Sequence, residues 1–144
     1  MKVRQILNSK KHNYLWHLSP DNTVLEALKI MAEKNIGALL VVEDEELKGI
    51  FSERDYARKG ILKGRASKDT LIRDVMTSPV ITVEIEQKVE ECMQIMSEKH
   101  IRHLPVTDDG KLFGIISIND IVTAIIVEQK DRIQSLESYI SGGY

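Results

Sequence analysis

The sequence is poor in several things that would settle a function quickly. It holds one cysteine, Cys92, in 144 residues, which rules out an intrachain disulfide and any zinc site built on several cysteines. Cys92 falls on the apolar stripe of a predicted helix and reads as a small core residue rather than a catalytic thiol. No charge of one sign dominates. A net charge of −2 gives no electrostatic case for nucleic acid or an anionic membrane, though local basic clusters remain. No apolar run approaches the roughly 20 residues of a membrane span, and the opening MKVRQILNSKKHN has no signal peptide's apolar middle, so a cytoplasmic protein is expected. There is no G-x-S-x-G, no P-loop and no G-x-G-x-x-G. His100 and His103 stand three apart but across a helix-to-strand boundary, and His12 and His17 are distant in sequence, so no metal site is expected. Nothing assembles a nucleophile with a base, and the chain is not expected to be an enzyme.

What is present is periodic. With 42% apolar and 29% charged residues the chain reads as globular, one compact domain or two small halves sharing a core. The stretch LFGIISIND, Leu112 to Asp120, echoes LKGIFSERD, Leu47 to Asp55. In both, a glycine-bearing apolar run breaks at a serine and an aspartate follows three residues later, as where a strand ends and a helix begins. A shift of 65 superposes the copies without a gap from Asn22 to Tyr56, with Val24 on Val89, Met31 on Met96, Val41 on Val106, Gly49 on Gly114 and Asp55 on Asp120. Val3 to Leu7 resembles Ile72 to Met76 at a shift of 69, so four extra residues are expected within Asn8 to Tyr14.

Each copy predicts the same elements. A helix spans Asp21 to Asn35, capped by Asp21 or Thr23, and its counterpart spans Gln87 to Lys99. Strands follow at Ile36 to Val42 and Leu47 to Phe51, and again at His103 to Thr107 and Leu112 to Ile116. Short extended pieces precede them at Trp16 to Leu18 and Ile81 to Val83. Ser52 opens a short helix ending near Gly60 or Gly64, and Arg65 to Thr70 is a polar linker. Pro105 removes a ladder donor, which places its strand at an edge or beside irregular backbone. The result is an α/β (α+β) fold of two β-α-β-β-α repeats, residues 1–66 and 67–127, packed about a pseudo-two-fold axis with paired clefts. A helical tail, 128–144, follows; Val122, Ile126, Ile133, Leu136 and Ile140, interrupted by Gln129, suit either a helix partner or the chain's own surface. Ser141 to Tyr144 is expected to fray.

Two readings attach to Ser52/Asp55 and Ser117/Asp120. The serine can cap its helix while the aspartate favours the positive helix end. The same group of hydroxyl, backbone N–H and carboxylate can also receive a phosphate and a ribose diol. Arg102 and His103 offer donors to phosphate oxygens, or a solvated side chain and a packed one. Arg54, Arg58 and Lys59 are either solvated helix charges or cations within reach of an anion.

The segments DVMTSPVITV, IRHLPV, GIISIND, GIFSERD and SERDYARK resemble the cystathionine-β-synthase-type, or CBS, domain in its tandem form, the Bateman module, and nearly the whole chain takes part. The resemblance implies a regulatory module that binds AMP foremost, or ADP, ATP, S-adenosylmethionine or NAD(H), as a regulatory ligand rather than a catalytic cofactor. It implies a homodimer and a regulated protein acting in trans. Asp120 and Asp55 would hold ribose hydroxyls and Ser117 and Ser52 would lie near phosphate. Val80, Ile81 and Thr82 would frame adenine in the second repeat, and Trp16 and His17 in the first. Arg102 and His103 would meet phosphate, with Leu104, Pro105 and Asn119 in the same motifs. The first repeat departs from the pattern: its matching Gly37 and Ala38 carry no charge, so Arg54, Arg58 or cations from the other repeat would have to serve, and unequal sites are expected. The competing expectation is a constitutive dimerisation module whose serine–aspartate elements only cap helices.

Overall fold

The computed structural model describes residues 1–10 and 15–141. In chain order these form α1 (Val3–Ser9), β1 (His17–Leu18), α2 (Val24–Lys34), β2 (Ala38–Glu43), β3 (Glu46–Ser52) and the short α3 (Glu53–Asp55). After an irregular helical stretch come β4 (Val83–Glu84), α4 (Val89–Lys99), β5 (His103–Asp108), β6 (Lys111–Ser117) and the long α5 (Ile118–Ile140). The chain is therefore mixed α and β, with a three-stranded sheet in each repeat and a C-terminal helix, as the repeats predict.

The two compact units are Tyr14–Thr82 and Met1–Asn13 together with Val83–Tyr144. Within the first, α2 starts where Thr23 Oγ1 accepts the Glu26 N–H at 3.2 Å and ends on Asn35 at φ 54°, a left-handed stop that asparagine tolerates. Its apolar stripe, Val24, Ala27 and Met31, is buried against Leu39, Val41 and Phe51 of the sheet. β2 and β3 run antiparallel, joined through Asp44 and Glu45 at φ 53° and 64°, the mirror-image turn whose twist suits a hairpin. β1 adds in parallel on the far side of β2.

The second unit repeats the plan. Val89, Cys92 and Met96 of α4 pack on Leu104, Val106 and Ile116. His100 ends α4 at φ 55°, and Asp109 and Gly110 turn the hairpin at φ 53° and 79°. Cys92 is fully buried. Burial pushes its thiol up to about 11, the behaviour of a core residue.

Each unit is completed by the segment that precedes the other repeat. Val3 and Arg4 donate backbone N–H groups to the carbonyls of Gln87 and Ile85, and Val89 donates to Met1. In the first unit Ile72 and Arg73 donate to Asn22 and Pro20, and Val24 donates to Thr70. Even the ion pairs correspond, Arg4 with Glu86 and Arg73 with Asp21. Val3, Ile6 and Leu7 join the second core, and Ile72 and Val75 the first.

The close seating of this segment explains Gly49. A Cβ there would stand 2.7 Å from Met76 Sδ and 3.0 Å from the Thr77 carbonyl oxygen. Thr77 and Ile50 exchange backbone hydrogen bonds at 2.8 and 3.1 Å, so β3 has no room for a side chain at that point.

One sequence expectation gains detail and two are corrected in part. The helix after Ser52 is one α turn, then a π-type turn over Tyr56–Gly60 and a 3₁₀ turn over Ile61–Lys63, stopped by Gly64 at φ 73°. The extended piece expected at Ile81 to Val83 forms its strand at Val83–Glu84. Pro105 lies in the central strand of its sheet rather than at an edge, beside a register shift at Val106/Thr107, the irregular backbone that the proline also predicts. In the first repeat the equivalent Leu40 donates to the Trp16 carbonyl at 3.3 Å. Pro105 has no N–H to give, and β4 begins one repeat position later than β1. Ser141 closes α5 by donating its N–H to the Glu137 carbonyl at 2.9 Å. The expected insertion falls largely, and the expected frayed end mostly, on residues outside those described.

Candidate functional site

In each unit a β-strand ends on a serine and hands over to a helix. Ser52 Oγ accepts the Asp55 N–H at 3.2 Å, and Asp55 Oδ2 accepts the Ser52 N–H at 3.0 Å. Ser117 and Asp120 do the same at 3.1 and 2.8 Å. Both are reciprocal capping boxes, each satisfying backbone donors that a helix start would otherwise leave open. The structural role predicted for these four residues is thus present in both repeats.

The surroundings of the two carboxylates differ. Asp55 is nearly buried, and both of its oxygens are engaged. Oδ2 also takes the Ser52 hydroxyl at 3.1 Å, while Oδ1 takes Thr77 Oγ1 at 2.9 Å and Lys59 Nζ at 3.1 Å. Asp120 is more open, its side chain 23% exposed against 9% for Asp55. Its contacts to Ser117 and to Lys10 Nζ, at 3.0 Å, both run through Oδ2. Lys10 Nζ is held on its other side by the Ile115 carbonyl at 3.1 Å.

Each carboxylate therefore has an ammonium beside it, but from a different source. Lys59 follows Asp55 by one helical turn, a spacing that sequence alone exposes. Lys10 lies 110 residues from Asp120, and the repeat comparison sets it opposite Pro79, so no pattern points to it. Thr77, also absent from the predicted site, arrives with the segment that completes the first unit. Lys59, expected with Arg54 and Arg58 as a cation on this stretch, is the one that reaches the Asp55 carboxylate. Arg54 and Arg58 are exposed on the turns around it.

The strands facing these helix starts bring up the next residues. The Arg102 carbonyl accepts the Ile118 N–H at 2.9 Å, as the Gly37 carbonyl accepts that of Glu53 at 3.1 Å. His103 stands opposite Ser117 in the ladder, and Ala38 opposite Ser52. Arg102 and Asn119 are exposed, while Leu104 and Pro105 are buried and contribute to packing. Gly37 and Glu53 line an open hollow of about 290 Å³ walled by Leu28, Met31 and Ile36.

His103 is not the ready cation its residue type suggests. Burial lowers its pKa below the ordinary 6.5; the Asp120 carboxylate pulls it back up, and Lys10 and Arg102 push it further down. The imidazole is neutral at pH 7. Because the unfolded chain takes up this proton first, stability is complete above the unfolded pKa and falls as the pH drops below it. Between about pH 7 and pH 5 the native protein is expected to lose more unfolding free energy than His103→Ala, which carries the first repeat's residue. Urea unfolding at the two pH values measures this, and parallel losses would contradict it.

The remaining predicted residues sit in the Tyr14–Thr82 unit. Trp16 is half-buried with Lys34 Nζ 4.4 Å from its ring centroid, a cation–π contact. His17 is exposed, its Nδ1 3.0 Å from the Leu15 carbonyl oxygen. Val80 is half-buried, and Ile81 and Thr82 are exposed in the stretch before β4. Among the described residues, no group of three His, Cys, Asp or Glu side chains is placed to hold a metal ion, and no helix is long and apolar enough to cross a membrane.

The CBS domain model matches twice, over residues 3–61 and 72–127. The chain belongs to the CBS domain family. It is 45% identical over 137 residues to the mitochondrial CBS domain-containing protein CBSX3 of Arabidopsis thaliana, covering 92% of this chain and 66% of that one. A solved CBS-domain protein from Burkholderia ambifaria is 46% identical, with a TM-score of 0.87 over 90% of this chain and 96% of its own. The inosine-5'-monophosphate dehydrogenase of Thermoplasma acidophilum is 36% identical over 110 residues, 76% of this chain but 21% of the enzyme. The CBS pair thus spans just under two thirds of the plant protein and about a fifth of the dehydrogenase. Both family matches begin at the segments that cross over, Val3 and Ile72.

Proposed function

We propose that this CBS pair is a cytoplasmic, non-catalytic regulatory sensor of adenine nucleotides, a homodimer that signals to a partner protein in trans. The observation that carries the reading is the same in both units: a helix start at which a serine hydroxyl, an aspartate carboxylate and a lysine ammonium lie together. A carboxylate accepts the two hydroxyls of a ribose, and an ammonium with a neighbouring arginine suits phosphate. The more accessible Asp120, with Ser117, Asn119, Lys10, Arg102 and His103, forms the principal site, and His103 acts there as a neutral hydrogen-bonding group. Val80, Ile81 and Thr82 remain the adenine-framing residues that the family resemblance implies. The first repeat offers Ser52, Asp55 and Lys59, with Gly37, Ala38, Arg54, Arg58, Trp16 and His17 around them, and is the weaker site because Asp55 is already fully used.

Ligand binding that differs between two arrangements of the protein shifts their populations, which is all a sensor requires. A thermal-shift panel of AMP, ADP, ATP, NAD(H) and S-adenosylmethionine tests the reading: at least one, AMP first, is expected to raise the unfolding midpoint. No shift with any of them would sink it. The second reading, a constitutive dimerisation module, draws on a specific observation, that both serine–aspartate elements are complete capping boxes without a ligand. It predicts a silent panel.

A further inference from the structure

Among the described residues, the last four turns of α5 bury no side chain. Its first turns meet the unit through Ile121, which is buried, and through Ala124 and Ile125, but from Ile126 to Ile140 every residue is exposed. A helix of about 15 residues is marginal in water without a packed face. This one carries such a face: Val122, Ile126, Ile133, Leu136 and Ile140 are 44% to 81% exposed. With Gln129 they recur at steps of four, three, four, three and four, the repeat of a two-stranded coiled coil. Isoleucine then holds every core position of one kind (126, 133 and 140), and Val122, Gln129 and Leu136 hold the other. β-Branched residues at the first and leucine at the second favour two parallel strands.

We infer that the end of α5 is a dimerisation surface whose occupant is the same segment of a second copy of this chain, parallel and in register. The flanking charges fit that occupant. Arg132 lies on one edge of the seam and Glu137 on the other, five residues on, which is the offset at which edges of parallel partners meet. Each Arg132 thus faces the partner's Glu137, twice by symmetry. Arg132 is also 3.8 Å from Glu128 on its own helix, which keeps the guanidinium on that edge. Parallel register sets Gln129 against its own copy, where two amides can hydrogen-bond. An antiparallel arrangement would bury it against isoleucine and use only part of the stripe. The inference gives a place to the homodimer proposed above and does not depend on nucleotide binding.

The full-length chain tests this by disulfide trapping. Leu136→Cys lies in the seam and Ser138→Cys faces away from it; the buried Cys92 does not compete. Under mild oxidation Leu136→Cys is expected to form a covalent dimer on a non-reducing gel at concentrations where Ser138→Cys stays monomeric. Adding Glu137→Arg to Leu136→Cys should slow trapping roughly tenfold, and the further change Arg132→Glu should restore it. Equal trapping of the two cysteines, or indifference to the charge reversal, would overturn the inference. So would an unlinked Leu136→Cys, the result antiparallel pairing or a different occupant would give. A silent nucleotide panel would leave all of these readouts standing.

Discussion

Asp55→Ala is expected to lower the unfolding free energy by about 2 kcal/mol, and Asp120→Ala by about 1 kcal/mol, although the two residues hold the same place in the repeat. Loss of the capping box is common to both and is about 1 kcal/mol in each. Only Asp55 has more to lose. Its removal also takes the acceptor from the Thr77 hydroxyl, and although Thr77 itself is exposed, a side-chain hydrogen bond to a nearly buried carboxylate contributes about 1 kcal/mol. The contribution from Lys59 is small because its side chain is 44% exposed and water screens the pair. Urea denaturation of both variants with the wild type measures the difference. Equal losses would mean that Thr77 and the crossing segment contribute nothing through Asp55.

The second large effect concerns affinity. Asp120→Asn keeps an oxygen that can accept the Ser117 N–H, so the reciprocal bond of the capping box survives the loss of the charge. It removes the charge that holds Lys10 and the second acceptor that a ribose diol requires. Calorimetry with the nucleotide that gives the largest thermal shift is therefore expected to show affinity reduced at least tenfold, with the fold nearly as stable as that of the wild type. Unchanged affinity would leave Asp120 a capping residue only. Asp55→Asn is expected to change total binding far less, because that carboxylate is already saturated by Ser52, Thr77 and Lys59.

The constant spacing of 65 makes the helices, hairpins and serine–aspartate elements legible in the sequence alone. These rest on local chemistry: apolar periodicity, a cap, a turn, a glycine. Lys59 is legible for the same reason, as a helical neighbour of Asp55. Lys10 is not, because its contact with Asp120 depends on where α1 docks, and backbone hydrogen bonds between residues 1–4 and 85–89 leave no trace in side-chain pattern. Pro105 predicts the irregular backbone beside it but not the central place of its strand. It forbids one ladder hydrogen bond, and β5 remains central because the parallel strand beside it starts one position later. His103 shows the limit of reading charge from residue type, since the burial that neutralises it comes from packing.

The crossing of the opening segments also has a consequence for how the protein comes to be folded. Residues 1–9 find their hydrogen-bonding partners at 85–89 and their packing partners as far along as Ile121. During synthesis the first helix leaves the ribosome long before anything exists for it to dock on. The Tyr14–Thr82 unit, whose own completing segment ends at Thr77, can close while the second repeat is still being made. The N-terminal segment must meanwhile keep Val3, Ile6 and Leu7 from other partners until β6 and the start of α5 appear. The order of assembly is thus written into the connectivity: α1 is made before the Tyr14–Thr82 unit and put in place after it.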